Sequence, residues 1–473
     1  MDISRTEKAY SYIARPKNKS EIISFIKFAK ANNLKVTIKG TNHSHGGHNR
    51  RKDINGCPTA IQLDMAEYNH LISINSSKME VTVESGMTWR ELATKLDPYK
   101  LAVRTEQSSN IFSIGGSVST NVHGRDVYGP LINSLIEIKY IDGDGIERKV
   151  GRNQRTQIFR AIVGGYGGLG IITEITLRVD KNYLYEAQSY KDISLKDYLN
   201  YLKTIEQKPA NIMHYGRVNL TGETPFSKVQ FVEWNPINDN EELSTWKGWK
   251  LDLNEKNEAI SSALMNLMRN RKTSIWGKTI KEKLDEIFGL PKTGTHKTKN
   301  NILNNPVFFL FDNYYNKNQS VDILQEYFIP ISQGENFLKK LQAIVDSNQV
   351  NLLNVTLRYI PKMGAYQDSI LTPYLTKENT LAIVLYINIE DTSSGNGSLI
   401  SYNGSSWTQK IIDAAQSVGG SFYWPYHRWW NKNQILKRDK ENIINYFQIK
   451  DQIDPNNIFE NDFLKALRQT IQN

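Results

Sequence analysis

Cysteine is nearly absent from this 473-residue sequence, which contains Cys57 and no other thiol. A single thiol excludes an intramolecular disulfide framework and any cysteine-rich zinc or iron–sulfur site. We therefore predict no metal site, and we interpret Cys57 as a small packed side chain. Packing rather than cross-linking must hold the fold together.

A signal peptide and a long apolar run are also lacking. The N-terminal segment MDISRTEKAYSYIARPKNKSE has no apolar core of signal-peptide length, and no apolar run is long enough to cross a bilayer. We expect a cytoplasmic protein without a transmembrane segment. Hydrophobic residues make up 39% and charged residues 23% of the chain, which is typical of ordered proteins. The length favours two or three domains over one core.

Negative charge is in deficit, because 59 Lys and Arg stand against 49 Asp and Glu, a formal net charge of +10. This balance permits an anionic ligand, a membrane surface or nucleic acid as a partner without choosing among them. The excess is concentrated at residues 269–299, which contain nine basic and three acidic residues. We interpret this stretch as part of a solvated polar insertion. The alternative is a lid or a peripheral membrane contact that presents an anionic substrate.

Local patterns predict both helices and strands. Asn18 with Glu21, and Thr88 with Glu91, have the spacing of helix capping pairs. Apolar alternation predicts strands, and the polar insertion is predicted to be helical. The expected strands are residues 35–39, 79–85, 135–142, 146–150, 171–179, 351–360 and 381–389, and the expected helices of the insertion lie in residues 257–290. The fold class is therefore α+β.

Glycine clusters mark three segments of the first 170 residues. Residues 165–170, GYGGLG, match the dinucleotide fingerprint G-x-G-x-x-G, but the following IITEITLRV alternates as a strand instead of opening a helix. A nicotinamide-binding Rossmann fold is therefore excluded. Residues 39–47 and 113–124 are two further runs rich in glycine, hydroxyl and amide groups. Together the three segments fit a long phosphate-bearing cofactor approached closely by backbone amides.

These same segments carry a resemblance to a known family. Residues 39–44 are similar to a loop of the form Arg/Lys-Gly-x-Gly-His-Ser, with Asn42 in place of the second glycine. Residues 115–124 are similar to Gly-Gly, six residues and His-Gly, and residues 164–173 are similar to Gly-Gly-x-Gly-x-x-Gly-Ile-Ile-Thr. Over most of its length the chain resembles the vanillyl-alcohol oxidase, or para-cresol methylhydroxylase, class of FAD-dependent oxidoreductases.

The C-terminal segment narrows the resemblance to the sugar-alcohol, aldonolactone and decaprenylphosphoryl-ribose oxidases. These proteins carry a Trp-x-Lys element and an Asp-Pro-x-x-x-Phe-x-Asn element, which here are similar to residues 430–432 and 454–461. The resemblance implies an FAD-binding domain of the para-cresol methylhydroxylase type at residues 1–180. A substrate domain of antiparallel sheet and flanking helices would follow at 181–415, with a basic helical insertion at about 240–305. Residues 416–473 would return to the FAD domain.

The resemblance also implies which residues bind FAD. His43 lies where many members attach the flavin covalently, and the alternative is that it only hydrogen-bonds a phosphate or a loop carbonyl. Ser119 and Thr120 belong to the segment that runs along the isoalloxazine ring in this class. The expected cofactor-binding residues are Lys39, Gly40, Thr41, Asn42, His43, Ser44, Gly115, Gly116, Ser119, Thr120, Asn121, His123, Gly124, Gly165, Gly167, Gly170, Ile171, Ile172 and Asn461.

The expected catalytic residues are Lys432, Tyr426, His427, Arg358 and Tyr386. An ammonium group at Lys432 would stabilise the anionic reduced flavin, or accept the substrate hydroxyl proton if burial lowered its pKa. Tyr426 and His427 are alternative bases. Arg358 and Tyr386, on two predicted strands, would orient substrate hydroxyls or a phosphate, and Gln325 is a further candidate for the same wall. Each of these has an ordinary structural role as its alternative.

The function implied is an FAD-dependent oxidase or dehydrogenase that oxidises an alcohol carbon of a sugar, polyol or related metabolite. Hydride would pass to flavin N5, and oxygen or another acceptor would reoxidise the flavin. The alternative within enzymes is amine oxidation or oxidative cyclisation of the berberine-bridge type. The alternative outside enzymes is a basic binding protein whose glycine loops are only turns. We expect a small hydroxylated substrate and no nucleic acid partner.

Overall fold

The computed structural model describes residues 11–237, 246–253, 259–284, 290–304, 320–363, 368–375, 377–390 and 404–472. The strands, in chain order, are β1 (Tyr12–Ala14), β2 (Lys35–Lys39), β3 (Ala60–Asp64), β4 (Leu71–Asn75), β5 (Glu80–Glu84), β6 (Leu101–Val103), β7 (Leu135–Ile141), β8 (Glu147–Gly151), β9 (Ile171–Lys181), β10 (Leu184–Ser194), β11 (Met213–Val218), β12 (Lys228–Pro236), β13 (His296–Thr298), β14 (Ser320–Pro330), β15 (Asn351–Ile360), β16 (Thr380–Glu390) and β17 (Ser421–Phe422). The helices are α1 (Lys19–Ala31), α2 (Trp89–Leu96), α3 (Ile114–Thr120), α4 (Thr156–Ile162), α5 (Leu195–Leu202), α6 (Ala259–Arg269), α7 (Ser274–Leu284), α8 (Lys299–Leu303), α9 (Gly334–Ser347), α10 (Gly404–Ser417), α11 (Lys432–Ile453) and α12 (Asp462–Gln472).

The N-terminal lobe begins with a helix on a small parallel sheet. The side chain of Asn18 accepts a hydrogen bond from the Glu21 amide at 3.0 Å, so the predicted cap of α1 is confirmed. The buried face of α1 packs against β2 and β3 of the sheet ordered β1-β3-β2. Thr88 and Glu91 form a reciprocal capping box at the start of α2, as predicted. Capping chemistry alone therefore located both helix starts.

A second sheet completes this lobe. Its strand order is β4-β5-β9-β7-β8, and β6 also pairs with β9. The predicted hairpin is confirmed, since β7 and β8 pair antiparallel around a turn in which Gly145 has a φ of +78°. The glycine cluster leads into β9, an eleven-residue strand, and not into a helix. This observation confirms that the G-x-G-x-x-G segment does not belong to a Rossmann unit.

The second lobe is built on an eight-stranded sheet ordered β13-β10-β12-β11-β15-β16-β14-β17. All its pairings are antiparallel. Helices α9 and α10 contact each other and β14. The fold is α+β, as predicted, and one buried hydrophobic cluster includes residues of both the N-terminal lobe and the sheet lobe.

The register of this sheet determines which side chains share a face. Arg217 on β11 pairs with Thr356 on β15, Thr356 pairs with Val384 on β16, and Val384 pairs with Glu326 on β14. Because neighbouring strands are about 4.8 Å apart, this row extends about 14 Å across the sheet. A β-bulge interrupts the pairing of β15 at Leu353, between the Leu352 and Asn354 partners. After the bulge, alternation places Asn354, Thr356 and Arg358 on one face of the sheet.

The end of the chain returns to the N-terminal lobe. The backbone of Phe459 forms a parallel bridge with Val36 of β2, and the amide of Val36 donates to the Ile458 carbonyl at 2.8 Å. Lys450, which is 1% exposed, donates to the carbonyls of Gly168 and Phe459 at 2.7 and 2.8 Å. The sequence placed the start of this return at residue 416, whereas β17 still pairs with β14 of the sheet lobe. The return therefore begins after Phe422.

The structure also tests the predictions made for Cys57 and for the basic insertion. Cys57 is exposed, so its interpretation as a packed side chain is wrong, because it lies in a turn paired only with Ile54. The predicted helices of the basic insertion are confirmed as α6 and α7, while parts of residues 240–305 lie outside the described residues.

Among the described helices none is long and apolar enough to span a membrane. Within the same residues no group of three or more His, Cys, Asp and Glu could hold a metal ion.

Candidate active site

A cavity of about 430 Å³ lies between the glycine segments and one face of the eight-stranded sheet. Its size is in the range of cofactor and substrate pockets. The N-terminal lobe contributes β2, the loop after it, α3 and the loop that follows α3. The sheet lobe contributes side chains from β11, β15, β16 and β14, and the tail contributes Pro425, Tyr426 and Asn461. Three separated parts of the chain therefore form one chamber.

The loop after β2 lines the cavity with Gly40, Thr41, Asn42, His43 and Ser44, as the sequence predicted. A Cβ at Gly40 would overlap the Ser113 hydroxyl, so a larger residue here would have to displace that side chain. Asn42 has a φ of +65°, in the left-handed region that glycine and asparagine adopt most readily. This conformation explains how asparagine replaces the glycine of the related loop. Lys39 lies outside the cavity wall, because its ammonium pairs with Asp64 at 2.9 Å.

His43 is held in this loop as a neutral imidazole. Burial lowers its pKa to about 4, so the ring is uncharged at neutral pH. Its Nδ1 lies 3.2 Å from the Thr41 hydroxyl, and its ring packs edge-on against Phe112 with 4.7 Å between centroids. The orientation of the ring is therefore fixed by two neighbours. A neutral, oriented imidazole is the form that can act as a nucleophile.

The second glycine segment is the short helix α3 rather than a loop. Gly115, Gly116, Ser119, Thr120 and His123 line the cavity. A Cβ on Gly115 would lie 2.7 Å from the Ser85 Cβ and 2.8 Å from its carbonyl oxygen, so α3 approaches the residue that follows β5 more closely than alanine would allow.

Two residues predicted in this segment do not line the cavity. Asn121 is fully buried, and its amide donates to Asp368 at 2.9 Å and to Ser369 at 3.2 Å. A Cβ on Gly124 would collide with Asp126 and with the Glu106 carbonyl. Both residues are therefore structural, and their assignment to cofactor binding is corrected.

The third segment contributes less of the wall than the sequence predicted. Gly167 and Ile172 line the cavity, whereas Gly165, Gly170 and Ile171 lie behind it. Gly170 has a φ of +148°, and a Cβ there would collide with the Ile141 carbonyl, which explains the glycine without any ligand. Asn461 lines the cavity from the tail, and its amide donates to the Tyr166 carbonyl at 2.8 Å. The tail thus holds the third glycine segment through the hydrogen bond from Asn461 to Tyr166.

The N-terminal half of the cavity has the chemistry of a large polar cofactor's site. Several cavity-lining side chains have buried polar atoms without a hydrogen-bond partner among the described residues: Thr37 Oγ1, both ring nitrogens of His48, Ser85 Oγ, Gln107 Oε1 and Tyr166 OH. Buried polar groups are normally paired, so these atoms indicate a ligand rich in donors and acceptors. The close glycine approaches supply room for it. The residues present therefore fit FAD, with its phosphates, ribityl chain and ring.

The opposite wall brings together a histidine, a carboxylate and a phenol. His123 Nε2 lies 2.5 Å from Glu326 Oε1, and both side chains are less than 5% exposed. The Tyr426 hydroxyl lies 3.5 Å from Glu326 Oε2. His123 comes from the loop after α3 and Glu326 from β14, so this pair joins the two lobes. Sequence reasoning named His123 and Tyr426 but missed Glu326.

Two of the expected substrate-wall residues lie in the wall. Arg358 and Tyr386 both line the cavity, and the Tyr386 hydroxyl donates to Asp322 at 2.9 Å. Gln325 faces away, because β14 alternates and its neighbour Glu326 takes the cavity face. Glu326 pairs with Val384 of β16, which also lines the cavity, and this pairing distinguishes Glu326 from Gln325.

Two of the expected catalytic residues are not brought to the cavity. Lys432 is exposed at the first position of α11, next to its cap Asn431, so it cannot stabilise a buried flavin. The role predicted for Lys432 is therefore corrected. His427 is buried but stacks on Trp429, with ring centroids 4.7 Å apart, outside the cavity lining. The aromatic cluster of the tail is mainly packing, with Tyr423 and Tyr426 as its cavity-facing members.

A group of arginines was missed by sequence reasoning. Arg125 and Arg217 line the cavity together with Arg358. The guanidinium carbons of Arg125 and Arg217 lie 4.7 and 6.0 Å from the centroid of the same ring, Tyr215. Together with Tyr215, the arginines come from a loop and two strands that span 233 positions of the sequence, from 125 to 358, so no local motif could reveal them.

Comparison with known families agrees with this geometry. Residues 10–151 match the model of the FAD binding domain, and residues 214–467, more than half of the chain, match the model of D-arabinono-1,4-lactone oxidase. The chain belongs to the D-arabinono-1,4-lactone oxidase family. The FAD domain match removes the alternative that the glycine segments are only turns of a basic binding protein. FAD is the cofactor that fits the N-terminal half of the cavity.

Individual relatives are similar over part of their length. A putative D-arabinono-1,4-lactone oxidase of Neurospora crassa is 30% identical over 165 residues, which are 35% of this chain and 28% of that protein. The L-gulonolactone oxidase of Mus musculus is 24% identical over 165 residues, 35% of this chain and 36% of that protein. The aligned segments thus span about a third of these curated relatives. Among solved structures, cholesterol oxidase from B. sterolicum superposes with a TM-score of 0.73 at 14% identity, covering 97% of this chain and 94% of that one. That similarity shows a shared fold.

Proposed function

We propose that this protein is an FAD-dependent oxidoreductase that oxidises an alcohol carbon of a sugar-derived lactone, polyol or related hydroxylated metabolite. The observation that carries the proposal is the His123–Glu326 pair, buried where the cofactor segments meet the sheet wall. The relatives are named as oxidases of aldonolactones, which are hydroxylated sugar derivatives. Nothing in the cavity favours amine oxidation or oxidative cyclisation over this reaction.

Different residues of the cavity accept the proton, hold the carboxylate and orient the substrate. When bound, FAD would supply the two-electron acceptor for hydride from the carbinol carbon. Glu326 accepts the hydroxyl proton at Oε2, while His123 holds Oε1 and fixes the carboxylate in place. Tyr426 lies within reach of the same oxygen and orients the hydroxyl. Loss of hydride and proton leaves a carbonyl on the substrate.

The carboxylate is tested by replacing Glu326 with glutamine, which keeps the shape and removes the base. A general base contributes about 10²- to 10⁴-fold, so we expect anaerobic bleaching of the flavin by substrate to slow by that factor in E326Q. The flavin spectrum and content should stay as in the wild type. E326D should restore part of the rate, and D346N, at an exposed carboxylate of α9, is the matched control. Bleaching by E326Q at the wild-type rate would refute the assignment.

We propose further that His43 attaches the flavin covalently. Its neutral, oriented ring in the cavity wall supports this assignment. After precipitation with trichloroacetic acid, the yellow colour should stay with wild-type protein and pass into the supernatant from H43A. Colour that remains with precipitated H43A would instead place the bond on a neighbouring histidine, and free flavin from the wild type would exclude a bond.

The acceptor and the location of the protein also remain proposals. We propose that oxygen or another small acceptor reoxidises the flavin, which stopped-flow mixing of reduced enzyme with oxygen tests directly. Cytoplasmic location and peripheral membrane contact stay predictions, to be checked by cell fractionation.

A further inference from the structure

The first turn of helix α7 presents two adjacent apolar side chains to solvent. Ile275 is 76% exposed and Trp276 is 61% exposed. Among the described residues, Ile275 has the largest exposed fraction of any large apolar side chain, and Trp276 is the one exposed tryptophan. A scattered apolar residue needs no explanation, whereas a contiguous apolar patch rimmed by polar groups indicates an interaction site.

Contacts on the inner side of α7 fix this orientation. The Ser274 hydroxyl donates to the side chain of Asn351 on β15 at 2.8 Å, and both residues are buried. A Cβ on Gly277 would lie 3.0 Å from two backbone atoms of α6, so the two helices pack closely at this position. Turning α7 about its axis would break these contacts. Ile275 and Trp276 therefore stay on the solvent side of the helix.

The charge around this apolar pair is positive. Residues 259–284, which form α6, α7 and the turn between them, contain six basic residues and one acidic residue. Lys272, in the turn before α7, and Lys283, near the end of α7, are both exposed. The acidic residue is Glu282, whose carboxylate accepts a hydrogen bond from the Leu220 amide at 2.5 Å. Glu282 is therefore directed to the loop after β11 and away from the exposed lysines.

The exposed residues of α7 share one side of the helix. At 3.6 residues per turn, Ile275, Trp276, Thr279 and Lys283 lie within about 100° of one another around the axis. We call these four residues, together with Lys272, the outward surface of α7. Segments that bind membrane surfaces combine tryptophan and aliphatic side chains at the level of the lipid headgroups with lysines that reach the lipid phosphates. The outward surface has this composition.

The opposite side of α7 belongs to the cavity. Lys281 of α7 and Met265 of α6 line the cavity wall. A helix with its side chains is about 10–12 Å across. A partner bound to the outward surface would therefore lie about one helix diameter from the cavity, without entering it.

We propose that the outward surface of α7 docks peripherally on a bilayer that contains anionic lipids, with Ile275 and Trp276 among the headgroups and Lys272 and Lys283 against lipid phosphates. Charge complementarity favours this partner, because a cationic surface with an exposed tryptophan matches an anionic membrane interface. A second copy of the chain, docked through the same surface, would set these lysines against one another.

The first test is cosedimentation of the holoenzyme with lipid vesicles. One set of vesicles is phosphatidylcholine alone, and the other contains about 30% phosphatidylserine as the anionic lipid. We expect binding to the anionic set that weakens as the salt concentration rises from about 0.05 to 0.5 M, because salt screens exposed charges. Equal binding to both sets, or binding to neither at low salt, would overturn the proposal.

The apolar pair is tested by single substitutions. I275S and W276S should each weaken binding to the anionic vesicles by about 5- to 10-fold, because less apolar surface enters the interface. I54S makes the same substitution as I275S at a side chain that is 66% exposed on the N-terminal lobe, and it should leave binding unchanged. Equal effects of I275S and I54S would exclude α7 as the contact.

The lysines are tested by charge reversal. A lysine near an anionic membrane contributes about 5-fold to binding, so K272E/K283E should weaken it by about 25-fold or more. K78E/K437E makes the same change in net charge at two exposed lysines away from α7 and should weaken binding much less. The same loss in both double variants would assign the effect to overall charge and refute the role of the outward surface.

Two further measurements separate this inference from its alternatives. Sedimentation velocity without vesicles should give the same oligomeric state for the wild type and W276S, and a dimer that dissociates in W276S would assign the surface to a second copy instead. Vesicle binding needs no turnover, so it supports the docking surface even if no substrate bleaches the flavin. Turnover of a substrate by a holoenzyme that binds no vesicles would leave the oxidase proposal intact and exclude the docking surface.

Discussion

Replacing Lys450 tests whether the returning tail holds the cofactor lobe together. Its ammonium is 1% exposed and donates to the Gly168 and Phe459 carbonyls and, at 2.9 Å, to the Asp454 carboxylate. In K450M the partners left to the buried carboxylate of Asp454, among the described residues, are the amides of Ile458 and Phe459. Breaking a buried pair in this way costs about 3–5 kcal/mol.

The expected change in melting temperature follows from the size of the chain. Unfolding entropy near 2.1 cal/mol/K per residue gives about 1 kcal/mol/K for 473 residues, so K450M should lower Tm by about 3 to 5 °C. A larger decrease is expected if the FAD lobe unfolds separately. The assay is thermal unfolding followed by flavin fluorescence, which reports the temperature at which the flavin becomes exposed to solvent. Exposure of the flavin should move with unfolding, because Lys450 binds the same glycine segment that lines the cavity.

Two further variants test whether the unpaired Asp454 carboxylate causes the loss of stability in K450M. K450M/D454N removes both charges and should recover about 1 kcal/mol or more, since the unpaired carboxylate is the main cost. K437M removes an exposed lysine of the same helix and should change the free energy of unfolding by less than about 0.5 kcal/mol. Equal melting temperatures for K450M and K437M would show that the Lys450 contacts do not stabilise the lobe.

Two other predictions concern the cofactor segments and acid stability. G115A should lose most of its bound flavin, because a Cβ would lie 2.8 Å from the Ser85 carbonyl oxygen. S24A, on the exposed face of α1, should retain its flavin, and full flavin content in G115A would contradict the close approach of α3 to Ser85. His214 is buried among aromatic rings and burial lowers its pKa to about 3, so its contribution to stability is present above about pH 6.5 and is lost as pH falls toward 3, at about 1.4 kcal/mol per pH unit. H214F should flatten the dependence of unfolding free energy on pH by that slope between pH 6 and 5 in urea titrations, and an unchanged slope would show that His214 does not titrate as expected.

The sequence predicted elements whose signals are local. Asn18 and Thr88 were located as caps because the partner of each lies three residues away. The rejection of a Rossmann fold also needed only the nine residues after the glycine cluster. Alternation located β15 and β16, and with them Arg358 and Tyr386. Local rules therefore located seven of the seventeen described strands and left the others unpredicted.

The rest of the site depends on contacts between distant residues. Glu326 and His123 are 203 residues apart, and only the meeting of β14 with the loop after α3 reveals the pair. Arg217 faces the cavity because of its register with Thr356, which alternation within β11 cannot supply. Lys432 was misplaced for the opposite reason: a short motif carried its assignment, and helix α11 directs it to solvent. The motif located the segment but not the direction of the side chain.

The bulge at Leu353 has a consequence for how this enzyme could acquire new specificities. After the bulge, Asn354, Thr356 and Arg358 line the cavity, so deleting Asn354 would move every later residue of β15 to the opposite face of the sheet. Val355, Leu357 and Tyr359, which are now buried, would take the cavity positions of Asn354, Thr356 and Arg358. Deleting one residue far from the flavin-binding segments would thus replace a polar and charged cavity wall with a more apolar one and leave those segments unchanged.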